Sequence, residues 1–323
     1  MRTSPICLVT GAAGFVGSHL VDRLIDRGWR VIGIDNFLLG RRENLAGALK
    51  SDRCTLIEAD VNQIESYAAV LRDLAKDSPI DNVWHMAANS DIKAGTTNPD
   101  VDLKHTFLTT YNTLKLMRSV GCRRLVFASS SAIYGPHDNE LTEDAGPLRP
   151  ISNYGAMKLA SEAVITAALE TWLERAWVFR FPNVVGSRAT HGVIFDFFKK
   201  LESNPHELEV LGDGRQAKPY LHVRELLDAM LLAWDRTSGR FNCFNIGPAS
   251  GVTTVEYIAK AVVAKVSPNA RIRYTGGSQG WPGDVPRFAY SIDRIRSLGW
   301  MPKLTSNQAV DLAVDELAAE MHQ

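Results

Sequence analysis

The stretch that most restricts the fold lies near the amino end. The apolar run Ile6 to Thr10 passes directly into Gly11-Ala12-Ala13-Gly14-Phe15-Val16-Gly17, and a helical pattern follows with Leu20, Leu24 and Ile25 on one face. Glycine lets the backbone turn sharply and approach a ligand, and the first turn of a helix offers unpaired N–H groups at the positive end of its dipole. Strand, glycine turn and helix in this order form a cradle for a pyrophosphate and commit the chain to a β-α-β unit. The spacing is G-x-x-G-x-x-G, one residue longer between the first two glycines than the commonest dinucleotide fingerprint, so the rest of the chain must support it.

It does. Apolar runs at Ile6 to Thr10, Arg30 to Asp35, Cys54 to Asp60, Asn82 to Ala87, Arg124 to Ser130 and Ala176 to Phe181 alternate with helical patterns. The runs are continuous and not alternating, as in strands buried on both faces. The expectation is an α/β Rossmann fold, a doubly wound parallel sheet, with a smaller α/β lobe toward the carboxyl end. After Phe181 the rhythm breaks at Gly212-Asp213-Gly214 and Trp281-Pro282-Gly283-Asp284. We expect a nucleotide-binding domain over 1–181, with a return at about 220–247 through the amphipathic helix Val223 to Trp234 and the strand Phe241 to Ile246. Residues 182–323 would form mainly the substrate lobe.

Lys plus Arg and Asp plus Glu both count 36, which argues against a broad basic field for nucleic acid. No apolar run approaches the roughly 20 residues that span a bilayer, and Met1 to Pro5 does not read as a signal peptide, so a cytoplasmic protein is expected. Cys7, Cys54, Cys122 and Cys243 are far apart and form no C-x-x-C pair; free thiols, with no metal site, are expected.

Asp35 closes the second strand 18 residues after Gly17, near the spacing of a carboxylate that accepts from the adenosine ribose hydroxyls. A carboxylate there repels a 2′-phosphate, which favours NAD over NADP. Arg41 and Arg42 keep the phosphorylated cofactor open, or simply form a solvated turn. Asp60 fits either the adenine amino group or a cap for the helix that begins near Ile64.

Tyr154-Gly155-Ala156-Met157-Lys158 starts a helix after the fifth strand, and its spacing puts Tyr154 and Lys158 on one face. A tyrosine of ordinary pKa ~10 is ionised in only about one molecule in a thousand at pH 7, so general-base work needs neighbouring positive charge. A bare Y-x-x-x-K also fits a polar surface helix. Its place here, together with Ser129-Ser130-Ser131 at the end of the fifth strand where open α/β sheets hold ligands, favours chemistry.

Taken together these residues resemble the extended short-chain dehydrogenase family, and most closely its UDP-glucose (UDP-galactose) 4-epimerase branch. The likeness also covers Asp35-Asn36, Asp60-Val61, His85-Met86-Ala87-Ala88, Ser129 to Gly135, Arg180 to Gly186 and the two turn motifs named above. The resemblance implies an NAD that takes hydride from C4 of a nucleotide-diphosphate sugar while Tyr154 removes the 4-hydroxyl proton. The 4-keto sugar would then turn and take the hydride back on its other face. Lys158 would bind the nicotinamide ribose and depress the tyrosine pKa. Ser130, by its position relative to Tyr134, is the matching catalytic hydroxyl, with Ser131 beside it. Gly11, Gly14, Phe15, Val16, Gly17, Asp35, Asn36, Asp60, Val61, Ala87 and Ala88 would line the cofactor. The helices Asp100 to Arg118 and Tyr154 to Leu173 would pair two copies into a homodimer, or simply pack on the sheet.

The departures bear on the reaction. Relatives that dehydrate carry an acidic pair where this chain has Ser131 and Ala132, and decarboxylating ones carry Glu at the place of Ala132. The family's phosphate-binding Arg is replaced by Lys218 before Pro219 and Tyr220, and a lysine loses the bidentate fork. Arg215, Arg188 or Arg287 would compensate. Asn183 matches a phosphate-contacting Asn and also fits a turn; Val193 would lie beside the nucleotide base and Asp284 near the substrate, while His191 reads as a loop residue. UDP-glucose/UDP-galactose interconversion is the leading expectation. UDP-glucuronate is the alternative, with Arg188 and Thr190 placed to meet a C6 carboxylate. A cofactor-binding sensor has no need of an activated phenol, and a net ketoreductase would need exchangeable cofactor.

Overall fold

The computed structural model describes residues 4–76, 78–136, 140–277 and 291–321. Six parallel strands, β1 (Ile6–Thr10), β2 (Arg30–Asp35), β3 (Cys54–Glu58), β4 (Ile80–His85), β5 (Arg124–Ala128) and β6 (Arg175–Arg180), form a seven-stranded sheet with Phe241–Asn245. The order is Phe241–Asn245, β6, β5, β4, β1, β2, β3. The chain runs outward from β1 to β3, then returns to the far side of β1 as β4. Strand order therefore reverses between β1 and β4, and at such a switch point the crevice beyond the strand ends takes a ligand.

Both faces of the sheet are buried, which explains the unbroken apolar runs. On one, Ile6, Leu8, Ile34, Phe127 and Val178 pack against Tyr67, Leu71, Leu114, Met117, Ile165 and Leu169 of the connecting helices. Alternation turns the neighbouring residues to the opposite face. There Trp84 of β4 and Trp177 of β6 meet Trp234 at ring-centroid distances of 5.6 and 4.3 Å. Each large side chain so buried contributes about 1.5–3 kcal/mol.

The strand ends depart from expectation. β3 and β5 stop two residues before Asp60 and Ser130, and β4 spans Ile80–His85 instead of Asn82 to Ala87. At this edge the backbone turns away to build loops: the Asp60 carboxylate accepts from the Asn62 amide at 2.8 Å and closes a local turn. The helix expected from Asp100 to Arg118 is also interrupted. It consists of Pro99–Asp102, a wide π-type turn Leu103–Phe107, and Leu108–Ser119. Thr109 and Thr110 donate back to the Thr106 carbonyl and Thr113 to that of Thr109, a kind of bonding that bends helices.

The chain divides into two compact units, one of 1–130, 153–180 and 234–244, the other of 131–152, 181–233 and 245–323. Two boundaries differ from the sequence-based ones: 131–152 belongs to the second unit, and the return to the first begins at 234 rather than about 220. In the second unit, Asn183–Val185 pairs with Tyr220–His222, Ala217–Lys218 with Thr253–Thr254, and Glu207–Val210 with Arg271–Tyr274. Phe197, Phe198, Leu208, Ile258, Val262, Val310 and Val314 form its core. Cys7, Cys122 and Cys243 are buried, Cys54 is half-buried, and none of the four is in a disulfide. No described helix is long and apolar enough to cross a membrane.

Candidate active site

The glycine turn leaves β1 at the switch point. Gly11 has φ +68°, and a Cβ there would lie 2.7 Å from the Ala87 amide nitrogen; a Cβ on Gly17 would lie 1.9 Å from the Gly11 carbonyl oxygen. Only glycine permits this close stacking of turn, helix and post-β4 loop. The helix Phe15–Asp26 opens from Gly14 with no side-chain cap and no acidic residue in its first turn, so its dipole end suits a diphosphate. Ala87 and Ala88 are half-buried in the loop after β4.

Asp35 is 6% exposed, and its carboxylate accepts from the amides of Ala13 and Phe37, each at 2.8 Å. Burial raises its pKa, while backbone N–H groups, including those of Gly14 and Asn36, oppose the rise. The carboxylate is thereby oriented against the glycine turn. Asn36 is exposed and accepts from Leu38. Arg42, one of the two cations that kept NADP open, is engaged: it pairs with Glu58 at 2.6 Å and lies 5.0 Å from the Phe37 ring centroid. Asp60 does not cap the following helix, whose N-cap is Gln63; Val61 is buried in the core and its carbonyl accepts from the Tyr67 hydroxyl. The glycine cradle after β1 and the Asp35 carboxylate at the end of β2, which would repel a 2′-phosphate, fit NAD.

The helix Asn153–Thr171 brings Tyr154 and Lys158 onto one face. Tyr154 is half-buried and hydrogen-bonded by Ser130. Burial pushes its pKa up to about 12, the Ser130 bond lowers it, and the Asp102 charge raises it. The Lys158 ammonium donates to the Ala128 carbonyl at 2.6 Å and lies 4.8 Å from the Phe127 ring centroid and 5.7 Å from that of Tyr154. Burial brings its pKa down to about 7, against the charges of Glu162 and Asp102.

The three serines separate in role. Ser129 is buried and donates to Glu162, Ser130 meets Tyr154, and Ser131 opens the short turn Ser131–Ile133 in the second unit. Glu162 also forms a bidentate pair with Arg180, at 3.0 and 2.7 Å, with both side chains 7% exposed. Sequence reading missed Glu162, although it lies one turn beyond Lys158. It also missed Asn89 and Asp102, for which spacing carries no signal. His85, buried beneath the glycine turn among the hydroxyls of Thr10, Thr110 and Thr113, is held neutral by burial, which lowers its pKa to about 3.

In the second unit the substrate candidates lie on separate segments. Asn183 is exposed at the start of its strand, Val193 begins the helix Val193–Ser203, Arg215 is exposed, and Lys218 is half-buried. Arg188 has φ +63°; its amide donates to Glu320, while the preceding Ser187 amide donates to Glu316 at 3.0 Å. The helix Ser306–Met321 thus clamps this loop, and Glu316, further bonded by His222 and Arg224, has its pKa lowered to about 2 despite burial acting to raise it. Asp284, Arg287 and the Trp281 to Asp284 motif lie outside the described residues. Among the described residues no cluster of His, Cys, Asp and Glu could hold a metal ion.

Comparison with known proteins agrees with this geometry. The UDP-glucose 4-epimerase of Azospirillum brasilense is 32% identical over 93% of this chain and 88% of its own length. A crystal structure of a UDP-galactose 4-epimerase superposes with a TM-score of 0.85 at 35% identity, covering 98% of this chain and 99% of the other. That of the Thermus thermophilus UDP-glucose 4-epimerase in complex with NAD gives 0.83 at 28%, covering 96% and 98%. Residues 7–247 match the NAD dependent epimerase/dehydratase family; the chain belongs to that family and is an enzyme whose cofactor is NAD.

Proposed function

We propose that this enzyme is a 4-epimerase of a nucleotide-diphosphate hexose, interconverting UDP-glucose and UDP-galactose. Nucleotide-sugar epimerase chemistry with NAD is the activity of its family at the coarser level. The observation that carries the epimerase reading is the contact between Ser130 and the Tyr154 phenol at the open end of β5. A hydroxyl donor there stabilises the phenolate and can orient the sugar 4-hydroxyl toward it. Ser131 and Ala132 leave no acid for dehydration.

In this reading the Gly11–Gly17 turn and the Phe15–Asp26 helix hold the pyrophosphate, and Asp35 accepts from the adenosine ribose. NAD held there would supply a reversible hydride acceptor for the sugar C4, and its positive charge would favour the phenolate. Tyr154 accepts the 4-hydroxyl proton as the carbonyl forms and gives it back when the alcohol is restored. Lys158 holds the nicotinamide ribose while charged. Lys218, Arg188 and Arg215 provide the positive charge for the diphosphate.

The test is proton NMR of the purified protein with NAD and, in separate tubes, UDP-glucose, UDP-galactose, UDP-glucuronate and the N-acetyl analogues. Interconversion of the first pair without accumulation of absorbance near 340 nm is expected. Turnover of UDP-glucuronate alone would replace the hexose by a hexuronate, and none with any sugar would overturn the reading. We also propose a homodimer paired through the helices bordering the π-turn and the Asn153–Thr171 helix, supported by Leu103 and Tyr111, 44% and 48% exposed. Sedimentation should give a dimer mass that Tyr111→Glu reduces to the monomer; a monomeric parent chain would exclude it.

A further inference from the structure

Asp102 ends the short helix Pro99–Asp102 in the first unit and is 0% exposed. Its Oδ1 accepts from Asn89 Nδ2 at 2.8 Å, while Oδ2 has no hydrogen-bond partner among the described residues. A buried carboxylate oxygen left unbonded is costly, so its retention calls for a reason. Two segments bordering the site meet it and a third reaches it through Gly95. Asn89, in the loop that follows Ala87 and Ala88, also bonds the Asp91 backbone at 2.9 Å, and Asp91 caps the helix Ile92–Thr97. That helix contributes Gly95, where a Cβ would lie 1.7 Å from Asp102 Oδ2, so only glycine makes room for the carboxylate. The Gly95 carbonyl in turn accepts from Asn153 Nδ2 at 3.0 Å, and Asn153 immediately precedes Tyr154.

We propose that Asp102 is a positioning residue for the Tyr154–Lys158 pair: through Gly95 and Asn153 it fixes the start of their helix, and its buried charge balances the Lys158 ammonium. The inference rests on the reading of Tyr154 and Lys158 given above. Two carboxylates act on Lys158, Glu162 and Asp102. Glu162 is already paired with Arg180, which leaves Asp102 as the carboxylate whose charge is not taken up by an arginine. Burial raises the Asp102 pKa; Asn89 and Thr106 oppose the rise, Asp91 adds to it as a like charge, and Lys158, an opposite charge, favours the carboxylate. Ser130 and Asp102 act on Tyr154. Asp102 therefore helps to keep the lysine charged, at the expense of making the phenol harder to ionise.

Removing that charge should move both groups the same way, toward lower pH. The experiment is an absorbance titration near 295 nm of the NAD-loaded chain, each protein read against the same protein carrying Tyr154→Phe, so that the remaining tyrosines cancel. Asp102→Asn keeps the shape and the Asn89 bond; Asp102→Ser vacates volume where the amide is not tolerated. We expect the phenolate midpoint to fall by about one pH unit, or about tenfold more phenolate at a given pH below it. Both limbs of the kcat/KM profile should shift with it. A midpoint that stays in place while activity drops equally at all pH values would reduce Asp102 to a packing role, and loss of folding in both variants would do the same; either overturns the proposal. The titration needs no sugar, so it reads Asp102 even if no nucleotide sugar is turned over.

Discussion

Tyr154→Phe is expected to lower kcat by about 10²–10⁴, the range for loss of a positioned general acid–base group, while NAD stays bound and KM changes little. The phenyl ring keeps the packing of a half-buried side chain and removes only the hydroxyl that Ser130 hydrogen-bonds. A loss confined to kcat is the signature of an interaction made in the transition state. Initial rates by NMR or a coupled assay, with bound cofactor measured on the same samples, provide the check. Turnover that survives within a few-fold would take the proton-transfer role away from Tyr154.

Arg180→Met should be the most damaging change to stability in the first unit. It leaves Glu162 buried with Ser129 as its remaining partner among the bonds described above, and stranding one member of a buried pair costs about 3–5 kcal/mol. The double change Arg180→Met with Glu162→Leu should recover much of the loss, because replacing both members of such a pair by apolar groups is often neutral. Urea unfolding of the two variants, compared by midpoint at unchanged slope, measures this. If the single variant loses less than about 1 kcal/mol, the pair is not isolated from water as its 7% exposures indicate. Glu162 lies on the same helix as Tyr154 and Lys158 and Arg180 ends β6, so the same variants connect the packing of that helix on the sheet to the charge on Lys158.

Much of the geometry at the ends of β1 and β2 was legible residue by residue. Gly11, Gly14 and Gly17 follow β1 and open a helix, and Asp35 ends β2, so these positions are tied to the strand ends by short lengths of chain. The same closeness made Tyr154 and Lys158 readable. Asp60 was harder: its residue type allowed an adenine contact or a helix cap, and in the fold its Oδ1 accepts from the Asn62 amide while Gln63 stands at the cap position. The helix around Asp102 was misread as continuous because its apolar spacing survives the π-turn, whereas the threonine back-bonds that accompany the interruption leave no periodic mark. The substrate half was least legible, since its charged candidates are spread over several loops and their side-chain roles depend on the ligand.

By itself, then, the sequence determined the β-α repeat, the glycine cradle, the acidic end of β2 and the Tyr154–Lys158 step, all of which depend on near neighbours: a glycine φ, the reach of a strand, the rise of one helical turn. Only the tertiary structure decided that Glu58 takes Arg42, that Glu162 joins Arg180 to Ser129, and that Asp102 reaches the Asn153–Thr171 helix through Gly95. Those partners meet because sheet order and helix packing bring distant segments together. For the buried ones, the strength of the contact comes from exclusion of water, a property of the assembled interior that no local spacing encodes.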